Sequence, residues 1–394
     1  MLKGLNRSAF ENKLVGNIRK AVARFGNATV YKSQARIYIE PKDDAFLFER
    51  AMEQAAKVFG VVSVSPVMRV RSDFEEIKEK TAEMLEQYLQ GTAKRNLKSS
   101  FSLGKQITFK VETRRGDKRF PMESMEVSRE LGAFILDAFP HLKVDVHQPD
   151  FVFYVDVRES TYLFFEVVPA VGGMPIGTNG KATLLLSGGI DSPVAGWMVA
   201  KRGVYINAVH FYSYPYTSER AKEKVVSLAK TMSEYCEKIQ LFVVPFTEIQ
   251  LRINERCRHE LLTLVMRRVM MKIAERIAKK GNSQALITGE SIGQVASQTM
   301  HGLVVTDDAV DMPVFRPLIG MDKNEVVTIA KRIGTYETSV LPYEDCCTTF
   351  VPKHPKTKPK LDEVVADEEK AALEELIEAA IANVELITLE AKKG

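Results

Sequence analysis

The stretch Thr183 to Pro193, T-L-L-L-S-G-G-I-D-S-P, constrains this chain more than any other. Leu184, Leu185 and Leu186 have the length and composition of a buried strand, and the apolar segment Ala195 to Val199 reads as a helix. Between them stand only Ser187, Gly188, Gly189, Asp191 and Ser192, with Ile190. Strand, glycine turn and helix start together make an anion site: the glycines bring backbone N–H groups close to a phosphate, and the helix end adds partial positive charge. Two serine hydroxyls are further donors. Asp191 would repel a phosphate, so it is expected to hold a Mg²⁺ that the phosphates share. The spacing fits neither G-x-x-x-x-G-K-[ST] nor G-x-G-x-x-G.

After this loop the pattern alternates. Apolar strands are expected at 183–187, 204–211, 239–244 and 285–288, with helices from Ser218 to Cys236, from about Cys257 to Lys280 and after Asp322. Such alternation implies a parallel sheet covered on both faces, with ligands at the carboxyl ends of its strands. His210-Phe211, Gly289-Glu290-Ser291, Gln294 and Gln298 should therefore converge on the glycine loop.

The first part of the chain reads differently. Phe10, Leu14, Ile18, Val22 and Phe25 lie at helical spacing, followed by a hairpin (28–31 and 35–39), a helix (43–58) and a strand (61–70), a small α+β unit that opens without a first strand. A helix at 73–89, another at 123–139 and strands at 150–157 and 162–168 make a second α+β unit. Between positions 94 and 119 it carries nine basic residues (Lys94, Arg95, Lys98, Lys105, Lys110, Arg114, Arg115, Lys118 and Arg119) against Glu112 and Asp117. With Phe101, Phe109 and Phe120 among them, this run suits a phosphate backbone, although a solvated strand face would look the same. The Gly- and Pro-rich stretch 169–180 marks a junction.

The chain has 394 residues, 45% of them hydrophobic and 27% charged, which is ordinary for a globular protein of several domains. No apolar run reaches the ~18 residues of a membrane span and no signal peptide precedes the first helix, so a cytoplasmic protein is expected. Cys236, Cys257, Cys346 and Cys347 form no C-x-x-C pair, and neither zinc nor structural disulfides are indicated. Cys236 and Cys257 fall in apolar helical patterns and read as small hydrophobes. The vicinal Cys346-Cys347, in a polar segment flanked by prolines, can ionise.

Taken together, L-L-S-G-G-I-D-S-P (185–193), V-H-F (209–211), M-R-R-V-M (266–270), T-G-E-S-I-G-Q-V-A-S-Q-T (288–299) and R-P-L-I-G-M-D-K (316–323) resemble one family, the tRNA 4-thiouridine synthetases, or ThiI-like tRNA uracil 4-sulfurtransferases. The resemblance covers nearly the whole chain. It implies a multidomain α+β and α/β protein: a ferredoxin-like domain (1–71, its first strand missing), a THUMP RNA-binding domain (72–168), a linker (169–180) and a Rossmann-like PP-loop ATPase domain (181–394). It also implies ATP with Mg²⁺, adenylation of O4 of uridine 8 in tRNA, and displacement of AMP by a persulfide sulfur. By the same carry-over, Leu185, Leu186, His210, Phe211, Arg267, Gly289 and Gln298 surround the nucleotide, and Lys323 is a cation near the phosphates. Cys346 or Cys347 handles the sulfur, the register leaving both open. Lys105, Lys110, Arg114, Arg115, Lys118 and Arg119 are the candidate RNA contacts.

The chain departs from long family members by ending in a Lys/Pro stretch and an acidic helical segment instead of a rhodanese unit. Sulfur is then expected directly from a cysteine desulfurase, and a role in thiamine thiazole synthesis through a sulfur-carrier protein is less secure. A homodimer is implied only by the family. Two other readings stand beside this one: another PP-loop nucleotide-modifying enzyme, and a tRNA-binding adaptor whose ATP site only regulates affinity.

Overall fold

The computed structural model describes residues 6–90, 107–343, 352 and 354–391. These form two compact units, one of residues up to 31, 37–62 and 170 onward, the other of residues 32–36 and 63–169. The chain enters through α1 (Arg7–Val22), which buries Val15, Ile18 and Val22 along one stripe. A hairpin, β1 (Ala28–Ser33) and β2 (Arg36–Pro41), and α2 (Phe48–Ala56) follow.

In the second unit the strand expected over 61–70 is broken into β3 (Ser63–Val64) and β4 (Met68–Val70). Pro66 lies between them and cannot donate to a ladder. Then come α3 (Phe74–Leu89), its first turn capped by the Asp73 carboxylate, β5 (Ile107–Arg115), α4 (Ser124–Ala138), β6 (Leu142–Val144), β7 (Phe151–Val157), β8 (Thr161–Phe164) and β9 (Val168–Pro169). The sheet order is β4-β8-β7-β5-β6, with β5 parallel to both neighbours. Helix residues Ile77, Leu85, Leu131 and Ile135 and strand residues Phe109, Phe153 and Leu163 form its core.

The remainder is the expected strand and helix alternation: β10 (Lys181–Leu185), α5 (Asp191–Ala200), β11 (Tyr205–Tyr212), α6 (Glu219–Cys236), β12 (Lys238–Pro245), α7 (Thr247–Arg256), α8 (Leu262–Lys280), β13 (Leu286–Ile287), α9 (Met300–Asp307), β14 (Val314–Phe315), α10 (Lys323–Ile333), α11 (Tyr336–Ser339), α12 (Leu361–Ala371), α13 (Glu374–Ala382) and β15 (Glu385–Glu390). The sheet runs β14-β13-β10-β11-β12-β15. On β11, Ile206 and Ala208 pack into the core with α5 and α6, while Val209 and Phe211 pack into the core with α8 on the other face.

Two expectations are corrected. The helix expected from Cys257 begins at Leu262, after the separate α7, because Cys257 and Arg258 adopt extended backbone. The sheet is not wholly parallel: β15 runs antiparallel along β12. Among the described residues no helix is long and apolar enough to cross a membrane.

Candidate active site

The glycine loop sits mid-sheet. Leu184 on β10 is in register with Ala208 on β11 and Ile287 on β13, so the loop is flanked by the carboxyl ends of both neighbours. Its shape is held from within: Ser187 N donates to Ser192 Oγ at 2.9 Å, the two hydroxyl oxygens lie 3.1 Å apart, and Gly189 N donates to Ser187 Oγ at 3.3 Å. From behind, Ser339 Oγ donates to the Gly189 carbonyl at 3.3 Å. Helix α5 opens at Asp191 without a side-chain cap, which leaves first-turn N–H groups for an anion.

Gly289 brings a second loop onto this one. A Cβ on it would lie 2.8 Å from Ser192 N and 2.9 Å from the Asp191 carbonyl carbon, so only glycine lets the two backbones approach this closely. Asp191 meets two donors across the opening: Lys323 Nζ at 2.7 and 2.9 Å and Gln294 Nε2 at 2.9 Å. Lys323 is the first residue of α10, whose start is closed by a reciprocal Asp322 and Glu325 capping box. A lysine at a helix N-terminus opposes the dipole, and its place is explained by its partner.

Beside the loop opens a cavity of about 470 Å³. Leu185, Leu186, Ser187, Asp191, Ser192, His210, Phe211, Arg267, Gly289 and Gln298 all line it, residues spread over more than a hundred positions. Lys323 joins them through Asp191. His210 is buried, with Nδ1 3.1 Å from the Leu186 carbonyl oxygen; that oxygen only accepts, so Nδ1 carries the proton.

Sequence reasoning missed part of the wall. Besides the expected Arg267, Thr263, Met266, Met270 and Met271 of α8 face the cavity, and the i, i+3, i+4, i+7, i+8 spacing of all five was the available signal. It also missed the charge network of Glu290. This buried carboxylate accepts from Thr288 Oγ1 at 2.8 Å and Arg316 Nε at 2.7 Å, and its other oxygen pairs with Arg267. Arg267 Nη1 also donates to Ser297 Oγ at 3.0 Å, and Arg316 pairs with Asp307.

Cys346, Cys347 and Lys105 lie outside the described residues. The other two thiols are buried and protonated: burial pushes Cys236 up to about 12 and Cys257 up to about 11. Of the candidate RNA contacts, Lys110 and Arg114 stand on one face of β5 on either side of Glu112, at 3.7 and 3.9 Å. Arg115 donates to the carbonyls of Phe120 and Met122 at 3.3 and 3.1 Å, which closes the turn after β5. Arg119 pairs with Asp117 and, by that hydrogen bond, holds its carboxyl down at about 2; Lys118 is exposed.

Three family profiles match in order: the ThiI ferredoxin-like domain over residues 1–65, the THUMP domain over 71–166, and the "Thiamine biosynthesis protein (ThiI)" over 177–373. The chain is 60% identical over 389 residues to a probable tRNA sulfurtransferase of Acetivibrio thermocellus, covering 99% of this chain and 96% of that one. It is 54% identical over 386 residues to a probable tRNA sulfurtransferase of Alkaliphilus metalliredigens, covering 98% and 95%. A crystal structure of a 4-thiouridine synthetase–RNA complex with bound ATP superposes with a TM-score of 0.87 at 37% identity, over 99% of this chain and 97% of that one.

Proposed function

The chain belongs to the ThiI family of tRNA sulfurtransferases, and on that premise we propose that it thiolates uridine 8 of tRNA to 4-thiouridine at the expense of ATP. The observation that carries this reading is the gathering of the loop residues, His210, Phe211, Arg267, Gly289 and Gln298 around one cavity at the carboxyl edge of the sheet. The uracil O4 attacks the α-phosphorus and pyrophosphate leaves; the terminal persulfide sulfur displaces AMP from C4, a second thiol cleaves the resulting S–S bond to leave the sulfur on C4, and an external thiol reductant reopens the protein disulfide so formed. An enzyme that consumes ATP in this way needs its strongest electrostatics at the leaving group. The loop N–H groups and Lys323 are the groups that would supply them, and the apolar wall of Val209, Phe211, Met266 and Met270 suits the nucleoside.

Mg²⁺ fits the donors present. Asp191, at the start of α5 beside the glycine loop and held by Lys323 and Gln294, is the carboxylate that would share the ion with the phosphates. Bound there, it would neutralise charge on the pyrophosphate. Asp191 would then exchange its Lys323 partner for the ion, and the ammonium would turn to the phosphates. Cys346 or Cys347 receives the sulfur, a cysteine desulfurase supplies it, and a sulfur-carrier protein is a second acceptor. A homodimer, which sedimentation would reveal, completes the expected partners.

The test is reconstitution with ATP, Mg²⁺, a cysteine desulfurase, cysteine and unmodified tRNA, followed by nucleoside chromatography. Wild type should form 4-thiouridine, and Asp191→Ala and Cys346→Ala should not. Thiolation surviving Cys346→Ala moves that role to Cys347 or to the desulfurase; tRNA bound but never thiolated favours the adaptor or a different nucleotide substrate.

A further inference from the structure

Glu290 has no part in the chemistry above, yet it is among the most enclosed charges beside the cavity, with its side chain 6% exposed. Its two oxygens are divided between two arginines from distant parts of the chain. Arg316, 12% exposed, has a second carboxylate in Asp307, so its charge is met twice. Arg267, 18% exposed, has Glu290 on one side and the Ser297 hydroxyl on the other. Of the two, only Arg267 lines the cavity.

We propose that Glu290 is a positioning residue for nucleotide recognition: it fixes the Arg267 guanidinium in the cavity wall with its charge already compensated. Arg267 then meets the nucleotide as an oriented hydrogen-bond donor and does not compete with the loop and Lys323 for the phosphates. The physical case has two parts. An arginine side chain is long, and ordering it before the ligand arrives lowers the entropic cost of binding. A carboxylate bonded to two guanidiniums also keeps its place, because breaking either pair gives up a charge-assisted hydrogen bond in a buried site.

The turn carrying Glu290 adds a geometric reason. Its neighbour Gly289 lies against the backbone of Asp191 and Ser192, and its other neighbouring contact, Thr288 Oγ1, donates to the same carboxylate. One short turn thus touches the phosphate loop on one side and Arg267 on the other. The spacing between the phosphate end and the Arg267 end of the cavity is set by residues 288–290.

This inference rests on the reading that the cavity takes ATP, and the experiment separates the two. Binding of a non-hydrolysable ATP analogue with Mg²⁺ is measured by calorimetry for Glu290→Gln, Arg267→Met and the double variant, together with kcat, KM for ATP in thiolation, and thermal unfolding. Glu290→Gln should weaken analogue binding and raise KM by about tenfold, the scale of one charge-assisted hydrogen bond, with kcat changed by less than about twofold. In the Arg267→Met background the same substitution should have no further effect, since the two act as one unit. An undiminished effect in that background, or unchanged binding in Glu290→Gln beside weakened binding in Arg267→Met, overturns the inference alone. Unchanged binding in both Arg267→Met and Gly289→Ala overturns the ATP cavity itself. If Glu290→Gln does not fold, Glu290→Asp, which keeps the charge but draws it back from Arg267, is measured in its place. Weaker binding that vanishes in the Arg267→Met background supports the proposal, and unaltered binding counts against it.

Discussion

An alanine at position 289 would be conformationally ordinary, since Gly289 does not have a left-handed φ, but its Cβ would collide with the first turn of α5. Gly293 is the reverse case: its φ is +75° and the space around a Cβ is open. Gly293→Ala should therefore cost about 1 kcal/mol of stability through backbone strain and leave ATP binding intact. Gly289→Ala should keep the fold and lose most ATP binding, because the loop that must present its N–H groups is pushed away. Calorimetric titration beside thermal unfolding distinguishes the two, and equal effects on binding would contradict the geometry. The buried thiols give a second residue-level expectation. The folded-state pKa of Cys236 is raised from 9.0 to about 12 and that of Cys257 to about 11, so below pH 9 both are protonated whether the chain is folded or not. Above pH 9 the unfolded chain ionises them first, and the stability they contribute is lost as pH rises through the folded values. Cys236→Ala should flatten the fall in stability between pH 9 and about 12 in denaturant titrations. At pH 8 a thiol reagent should react quickly with Cys346 and Cys347 and not with this pair.

At the scale of elements, β5 shows why a run of like charges is a poor guide to which charges bind. Arg114 is exposed beside Glu112, whereas Arg115 is committed to the carbonyls of Phe120 and Met122. Arg114→Glu should weaken tRNA binding and lower the slope of log affinity against log salt by about one or two, with thermal stability unchanged. Arg115→Ala should do the opposite, lowering the melting temperature more than the affinity. Filter binding across a salt series reads the first; loss of stability without loss of the salt slope in both variants would remove β5 from the RNA surface. The elements themselves were legible where the pattern is local. The capping residues Asp73, Ser218 and Asp322 mark true helix starts, and β10, β11 and β12 lie within two residues of their expected bounds. Helix α7 and strand β15 were not legible: α7 is polar with Ile249, Gln250 and Ile253 as its buried residues, and β15 is exposed along much of its length.

For the whole molecule, the first helices share a compact unit with residues 170–394. Phe59 packs 5.7 Å from Trp197 and 6.2 Å from Tyr235, ring centre to ring centre, and Asn17 Nδ2 donates to the Ile176 carbonyl at 3.2 Å. Trp197 is the single tryptophan and is 3% exposed, so it reports on this contact. Phe59→Ala should destabilise the protein by about 3 to 5 kcal/mol and shift tryptophan emission to the red. An unshifted spectrum with full stability would mean that the N-terminal helices add nothing to the ATPase unit.

The sequence by itself determined the strand, glycine turn and helix start at 183–193, the parallel alternation around it and the family to which the chain belongs, because each is written in neighbouring residues whose backbone needs are local. It also supplied the strand-end residues that meet in the cavity, though not the wall given by Thr263, Met266, Met270 and Met271, since a parallel sheet sends every strand end to the same edge. Tertiary structure alone decided that the loop serines bond each other, that Arg115 closes a turn, and that Glu290 lies between Arg267 and Arg316. Those outcomes depend on which polar groups are left to satisfy one another once the core has closed, and a buried charge takes the partner that packing brings to it.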